Sequence, residues 1–239
     1  MLSNDEDGRK LSARSDLLRP VFSILNPELT YTLPDFQTAC GAVDMLVHII
    51  ERYFTKTSNV DLTDKLCEGA MKSIIKNSKL VLKHPKNYDY RAELMWAGTL
   101  AHNGILGTGR EEDWASHKIE HELSAVYDIA HGAGLAVVTP AWMKYVYRKD
   151  IQRFAMFARN VFDVNENDDS IAAKKGIEEL ERFFREIGLQ TTLKELGIND
   201  GNFSEMAKNC ADYGGGTVGY FVKLDEKKII EILKTAMEG

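Results

Sequence analysis

From Asp35 onward the chain is written in the period of a helix. Ala39, Val43, Leu46, Ile50 and Phe54 recur at intervals of three and four, and a second block follows in Leu66, Ala70, Ile74 and Leu80. That spacing lays an apolar stripe along an α-helix and cannot give one to a strand. The same reading places further helices at about residues 88–107, 113–127, 132–147, 149–162, 167–187 and 224–237, divided by short turns such as Gly107-Thr108-Gly109 and Asp163-Val164-Asn165. In the stretch 178–187, Leu180, Phe183, Phe184 and Ile187 face inward, while Lys174-Lys175 and Lys227-Lys228 are solvated faces. Sequential helices with short connections predict a mainly α fold, an antiparallel helical array. The run Val21-Phe22-Ser23-Ile24-Leu25, closed by Asn26-Pro27, suits one strand or an extended lead-in segment. One strand cannot make a sheet, so residues 1–25 are set apart from a helical domain over 26–239.

Composition removes several classes of function. Thirty Lys and Arg against thirty-six Asp and Glu leave a net charge of −6, with no bulk field for nucleic acid or an acidic membrane face. No apolar run approaches the ~20 residues of a membrane span. Cys40, Cys67 and Cys210 lie far apart without metal-type or redox-type spacing, and the first eleven residues lack the apolar core of a signal peptide. These features predict a cytoplasmic protein with free thiols.

Two segments carry chemistry. In Gly41-Ala42-Val43-Asp44-Met45-Leu46-Val47-His48, Asp44 and His48 are the ionisable groups of an apolar helical run, and they share a face. Burying an unpaired carboxylate is costly. Either the two hydrogen-bond in the core, or they bind one metal ion whose charge offsets the burial. Cys40 lies one turn earlier and reads as a buried thiol.

The second segment, Trp114-Ala115-Ser116-His117-Lys118-Ile119-Glu120-His121, is followed by His131-Gly132-Ala133-Gly134, so three of six histidines fall within fifteen residues. His117 and His121 are one turn apart, and His131 opens the next helix. His117-x-x-Glu120-His121 also matches the H-x-x-E-H zinc-hydrolase pattern, with Glu120 as general base. That reading gives Asp44, His48 and His131 no role, whereas a site built from both segments uses them. One carboxylate with several imidazoles suits Fe(II) or Zn(II), with one histidine outside the ligand set for proton transfer.

Several stretches together carry a resemblance: Asn26-Pro27-Glu28-Leu29-Thr30-Tyr31, Gly41-x-x-Asp44-x-x-x-His48-x-x-Glu51-x-Tyr53, Asp113-Trp114-Ala115-x-His117-x-x-x-His121-Glu122-Leu123, and His131-Gly132-x-x-Leu135-Ala136-x-x-x-Pro140. They resemble the iron-dependent (group III) alcohol dehydrogenases, in their butanol dehydrogenase branch, from about residue 15 to the C-terminus. The resemblance implies that Asp44, His48, His117 and His131 are metal ligands and that His121 is the nearby proton-transfer histidine. It implies hydride exchange between NAD(H) or NADP(H) and a small alcohol or aldehyde, with Fe(II) or Zn(II) as Lewis acid. By the same resemblance Pro27 and Tyr31 run along the nicotinamide side of a cleft, Trp114 and Asn103 lie near the substrate pocket, and the protein is a homo-oligomer, a dimer.

The family places a dinucleotide-binding α/β domain before this helical part, and here residues 1–25 read as its last remnant. Gly214-Gly215-Gly216 opens no helical pattern and is not a phosphate loop. A shortened chain fits best, ahead of a proteolytic fragment or a chain completed by a partner. Leu17, Leu18, Val21, Phe22 and Ile24 are then candidates for an exposed docking surface. A metal-dependent hydrolase and a non-catalytic metal-binding remnant are the alternative readings.

Overall fold

Why α5 (His131–Val146) lies at the centre is visible in its composition: from Gly132 to Met143 every residue is buried. A helix apolar on all sides has no face for water and must be surrounded. In the computed structural model, which describes residues 2–4, 9–11 and 15–238, it packs against α1 (Asp35–Tyr53), α4 (Ala115–Tyr127), α7 (Asp169–Glu186) and α9 (Glu226–Glu238). The remaining helices are α2 (Asp61–Lys83), α3 (Tyr88–His102), α6 (Ile151–Phe162) and α8 (Phe203–Tyr213). The neighbours α1 and α2, α2 and α3, α4 and α5, α6 and α7, and α8 and α9 pack on one another, as short connections require. The main hydrophobic core runs from Ala39 to Ala236 and draws on all nine α-helices among the described residues. At its centre the Phe54 ring lies 4.3 Å from Phe154 and 5.8 Å from Trp142, centroid to centroid.

The first apolar stripe falls where its period puts it, with Ala39, Val43, Leu46, Ile50 and Phe54 all buried. The second is rotated. Leu66 is exposed, and the inward face of α2 is Asp64, Cys67, Glu68, Met71, Ile74, Ser78 and Val81. Two carboxylates that find partners inside are indistinguishable from solvent residues by hydropathy. In α3 the helix stops at His102, short of residue 107, because Gly104 turns left-handed (φ 90°) and 105–107 form a separate 3-10 turn. Helix α8 was not anticipated from the sequence.

Residues 21–25 form no regular element, so the extended reading holds and the strand does not. The described strands are β1 (Leu2–Asn4) and β2 (Arg9–Leu11), an antiparallel pair. Part of the stretch read as a domain remnant, residues 1, 5–8 and 12–14, lies outside the described residues. Leu17, Leu18, Val21, Phe22 and Ile24 are all exposed. No described helix is long and apolar enough to cross a membrane. Cys40, Cys67 and Cys210 are free and buried, and burial pushes their thiols up to about 11 or 12. Gly214-Gly215-Gly216 closes α8, and no helix opens from it.

Candidate metal centre

Three helices converge on one point. α1 supplies Asp44 and His48, one turn apart. α4 supplies His117, Glu120 and His121, and α5 begins at His131. The start of α4 is fixed by Asp113, whose backbone N–H donates to Glu51 O (2.8 Å) at the end of α1. Its carboxylate accepts from the backbone of Ala115 (3.2 Å), Tyr220 (2.6 Å) and Phe221 (2.7 Å). Burial and the facing Glu51 push the Asp113 carboxyl up to about 7. Trp114 takes a left-handed conformation (φ 66°) to let the helix begin. At α5, a Cβ on Gly132 would collide with the backbone carbonyl of Cys40, so only glycine lets the first turn, with His131, lie flush on α1.

The resulting spacing has a specific form. Asp44 Oδ1 is 3.5 Å from His48 Nε2, 3.5 Å from His117 Nε2 and 3.5 Å from His131 Nε2. Four donors each about 2.1 Å from a tetrahedral ion are separated by about 3.4 Å. That is longer than an ordinary hydrogen bond, which has a mode near 2.9 Å. Asp44 Oδ1 and His117 Nε2 are buried without a hydrogen-bond partner. Asp44, His117 and His131 offer donor atoms that all lie within 4.8 Å of one another, a spacing that would accept a cation.

The groups behind the imidazoles follow the same logic. His117 donates its backbone N–H to Glu51 Oε1 (3.1 Å), and its Nδ1 lies 3.3 Å from Glu51 Oε2. His131 Nδ1 bonds Glu120 Oε2, and Glu120 Oε1 accepts from Ser124 Oγ. Carboxylates behind metal-binding histidines orient the rings and raise their basicity. Glu51 and Glu120 are wholly buried. Glu120, the general base of the hydrolase pattern, is therefore committed to His131 and Ser124.

The electrostatics are those of a carboxylate ringed by imidazoles. Burial alone would raise the Asp44 carboxyl, but His102, His117 and His131 outweigh it and hold the group far below the usual range. Burial depresses His117, yet Glu51 and Asp44 reverse the balance and push it to about 9. His48, depressed by burial and by the neighbouring His117, falls to about 2.

Trp114 forms a wall. Its ring stands 5.1 Å from those of both His48 and His117, its Nε1 donates to Glu112 Oε2 (2.7 Å), and the Arg52 guanidinium lies over it at 4.8 Å. Arg52 also donates to Glu112 Oε1 (3.0 Å) and to the carbonyls of His48 (2.6 Å) and Ala101 (2.9 Å). His121 stacks on His131 with centroids 5.5 Å apart. Asn103 uses its side chain on the Ile105 N–H (3.0 Å) in the turn after α3. Pro27 and Tyr31 belong to a turn near the start of α3, where Tyr31 neighbours Tyr88, Asp89 and Arg91. The last turn of that helix, with His102, is about 20 Å along the axis. The structure thus sets Tyr31 apart from the imidazoles. His84, at the end of α2, caps it through its backbone N–H. Sequence spacing gave no sign of Glu51's role or of His102, whose Nε2 lies 3.5 Å from Asp44 Oδ2.

Fold and donor set define a helical domain with a candidate mononuclear metal centre between its helices. The chain belongs to the Fe-containing alcohol dehydrogenase family: residues 38–237 match the family's C-terminal domain. It is 37% identical over 236 residues to NADH-dependent butanol dehydrogenase A of Clostridium acetobutylicum, covering 98% of this chain and 61% of that protein. It is 35% identical to the NADPH-dependent aldehyde reductase YqhD of Escherichia coli, covering 92% of this chain and 57% of the relative. The crystal structure of NADH-dependent butanol dehydrogenase A from Thermotoga maritima superposes with a TM-score of 0.94 at 38% identity, over 99% of this chain and 61% of that one. The chain thus spans about three-fifths of the length of these relatives.

Proposed function

We propose that the chain is the metal-binding part of a nicotinamide-dependent alcohol dehydrogenase or aldehyde reductase acting on small primary alcohols and their aldehydes. Asp44, His48, His117 and His131 hold Fe(II) or Zn(II) in this reading. The observation that carries it is the set of three 3.5 Å separations around Asp44 Oδ1, with that atom and His117 Nε2 unpartnered and buried. Family membership supports the reaction class, and the relatives' names include both NADH and NADPH dependence.

A divalent cation in this position supplies a Lewis acid to an alcohol or carbonyl oxygen. The chain's own residues do the rest. Glu51 and Glu120 hold the rings of His117 and His131 so that Nε2 faces Asp44. Trp114, clamped by Glu112 and Arg52, closes one side of the site and limits water. His121, half-buried and stacked on His131, moves the substrate hydroxyl proton between site and solvent. Pro27 and Tyr31 are the proposed nucleotide contacts.

The test is metal content by plasma mass spectrometry on anaerobically purified protein, with His117→Ala and His121→Ala alongside the unaltered chain. About one Fe or Zn per chain, lost in His117→Ala and kept in His121→Ala, is the expected result. Loss in both variants would instead make His121 a ligand, as the hydrolase pattern requires.

A further inference from the structure

Asp44 has two carboxylate oxygens, and only Oδ1 is used by the cluster described above. Oδ2 faces His102 Nε2 at 3.5 Å, again a ligand spacing, and His102 comes from a different helix, the last turn of α3. The other ring nitrogen, Nδ1, is 2.8 Å from the carbonyl of Gly98, which can only accept. Nδ1 therefore carries a hydrogen, and Nε2 is the ring atom turned toward the carboxylate oxygen. A histidine anchored by Nδ1 to a backbone carbonyl, with Nε2 free to coordinate, is the usual pose of a metal ligand. The His102 ring lies on that of His48 at 4.0 Å, and Asp44, His48 and His102 can each offer one donor atom within 4.8 Å of the others.

A second such triplet is Asp44, His117 and His131. The two share Asp44 and differ in depth: the side chain of His102 is 42% exposed, whereas that of His117 is 6% exposed. We propose that Asp44, His48 and His102 form an outer capture site, which takes a divalent cation from solvent and passes it to the inner position through the shared carboxylate. His102 is then a kinetic ligand: it sets how fast the centre fills, and leaves the final set of donors unchanged. This rests on the metal-centre reading above.

The two ideas are separated by loading the metal-free full chain with Co(II) and following its visible absorption in a stopped-flow instrument. The variants are His102→Ala, His102→Asn and, as a histidine outside the cluster, His84→Ala. Asn can still donate to the Gly98 carbonyl but has no Nε2, so it separates ligation from a structural role. In both His102 variants the loading rate should fall by about tenfold, on the scale seen when groups that support a metal's ligands are removed. The final stoichiometry and the far-ultraviolet circular dichroism should match the unaltered chain, and His84→Ala should load normally. Loading of either His102 variant within twofold of the unaltered rate overturns the capture site alone. An unaltered chain that takes up no Co(II) overturns the metal centre and the capture site together.

Discussion

At the scale of single residues the candidate centre depends on carboxylates that never touch the ion. Glu51 is wholly buried; its Oε1 accepts from the His117 backbone N–H, and its Oε2 lies 3.3 Å from Nδ1 without making a hydrogen bond. A buried charge without a counter-charge is costly, and in the proposed centre a coordinated His117 imidazole would supply it. In Glu51→Gln the side chain keeps its shape and loses its charge. Cation affinity, measured by competition with a chelator, should drop about 10- to 100-fold with the helical content unchanged. An affinity within twofold of the unaltered chain would mean that Glu51 only packs. Asp44, His48, His117, His121 and His131 stood out in the sequence as ionisable groups in or beside apolar helical runs, while the choice of four of them as ligands came from the family resemblance. His102 and Glu51 did not. His102 meets Asp44 only because α3 packs on α1, and Glu51 meets His117 only because Asp113 fastens α4 to the end of α1.

Between elements, the charged residues on the inward face of α2 act as fasteners. Asp64 accepts from both terminal nitrogens of Arg153 on α6 and lies 2.8 Å from Nη1 of Arg110, in the segment before α4. Arg153 Nε also donates to Tyr53 O (2.9 Å), and its guanidinium lies over the Tyr53 ring at 4.0 Å. One carboxylate thus joins α2 to α6 and to the approach of α4. In Asp64→Ala two buried guanidinium groups lose their counter-charge, and unfolding in urea should show a loss of about 3–5 kcal/mol. A loss below about 1 kcal/mol would mean that water or other acceptors replace Asp64 freely. These buried charges also mark where hydropathy misleads: α2 was found and Ile74 is buried, but Leu66 is exposed and Ala70 and Leu80 are half-buried beside the buried Cys67, Met71 and Val81. The helices with long apolar stripes were legible, α1 and α7 above all. α8 was not, since its eleven residues mix Asn, Asp and Lys with a short apolar face of Phe203, Met206, Ala207 and Cys210.

For the whole molecule the important fact is that the donors come from three helices, α1 and the distant consecutive pair α4 and α5, and that α5 forms the central packing element. A cation between Asp44, His48, His117 and His131 acts as a cross-link made only in the folded state, so its binding free energy adds to folding stability. At a free concentration a hundred times the dissociation constant, the gain is about 2.7 kcal/mol. For a chain of this size each kcal/mol moves the melting temperature by about 2–4 °C, so Zn(II) or Fe(II) should raise Tm by about 5–11 °C over the chelated protein. The shift should vanish in His117→Ala and Asp44→Ala and persist in His84→Ala, whose histidine lies at the far end of α2. A shift that survives the loss of His117 would place the stabilising ion elsewhere on the surface. The absence of any shift in the unaltered chain would mean that the three helices are held by the core alone and that the 3.5 Å separations serve no ion.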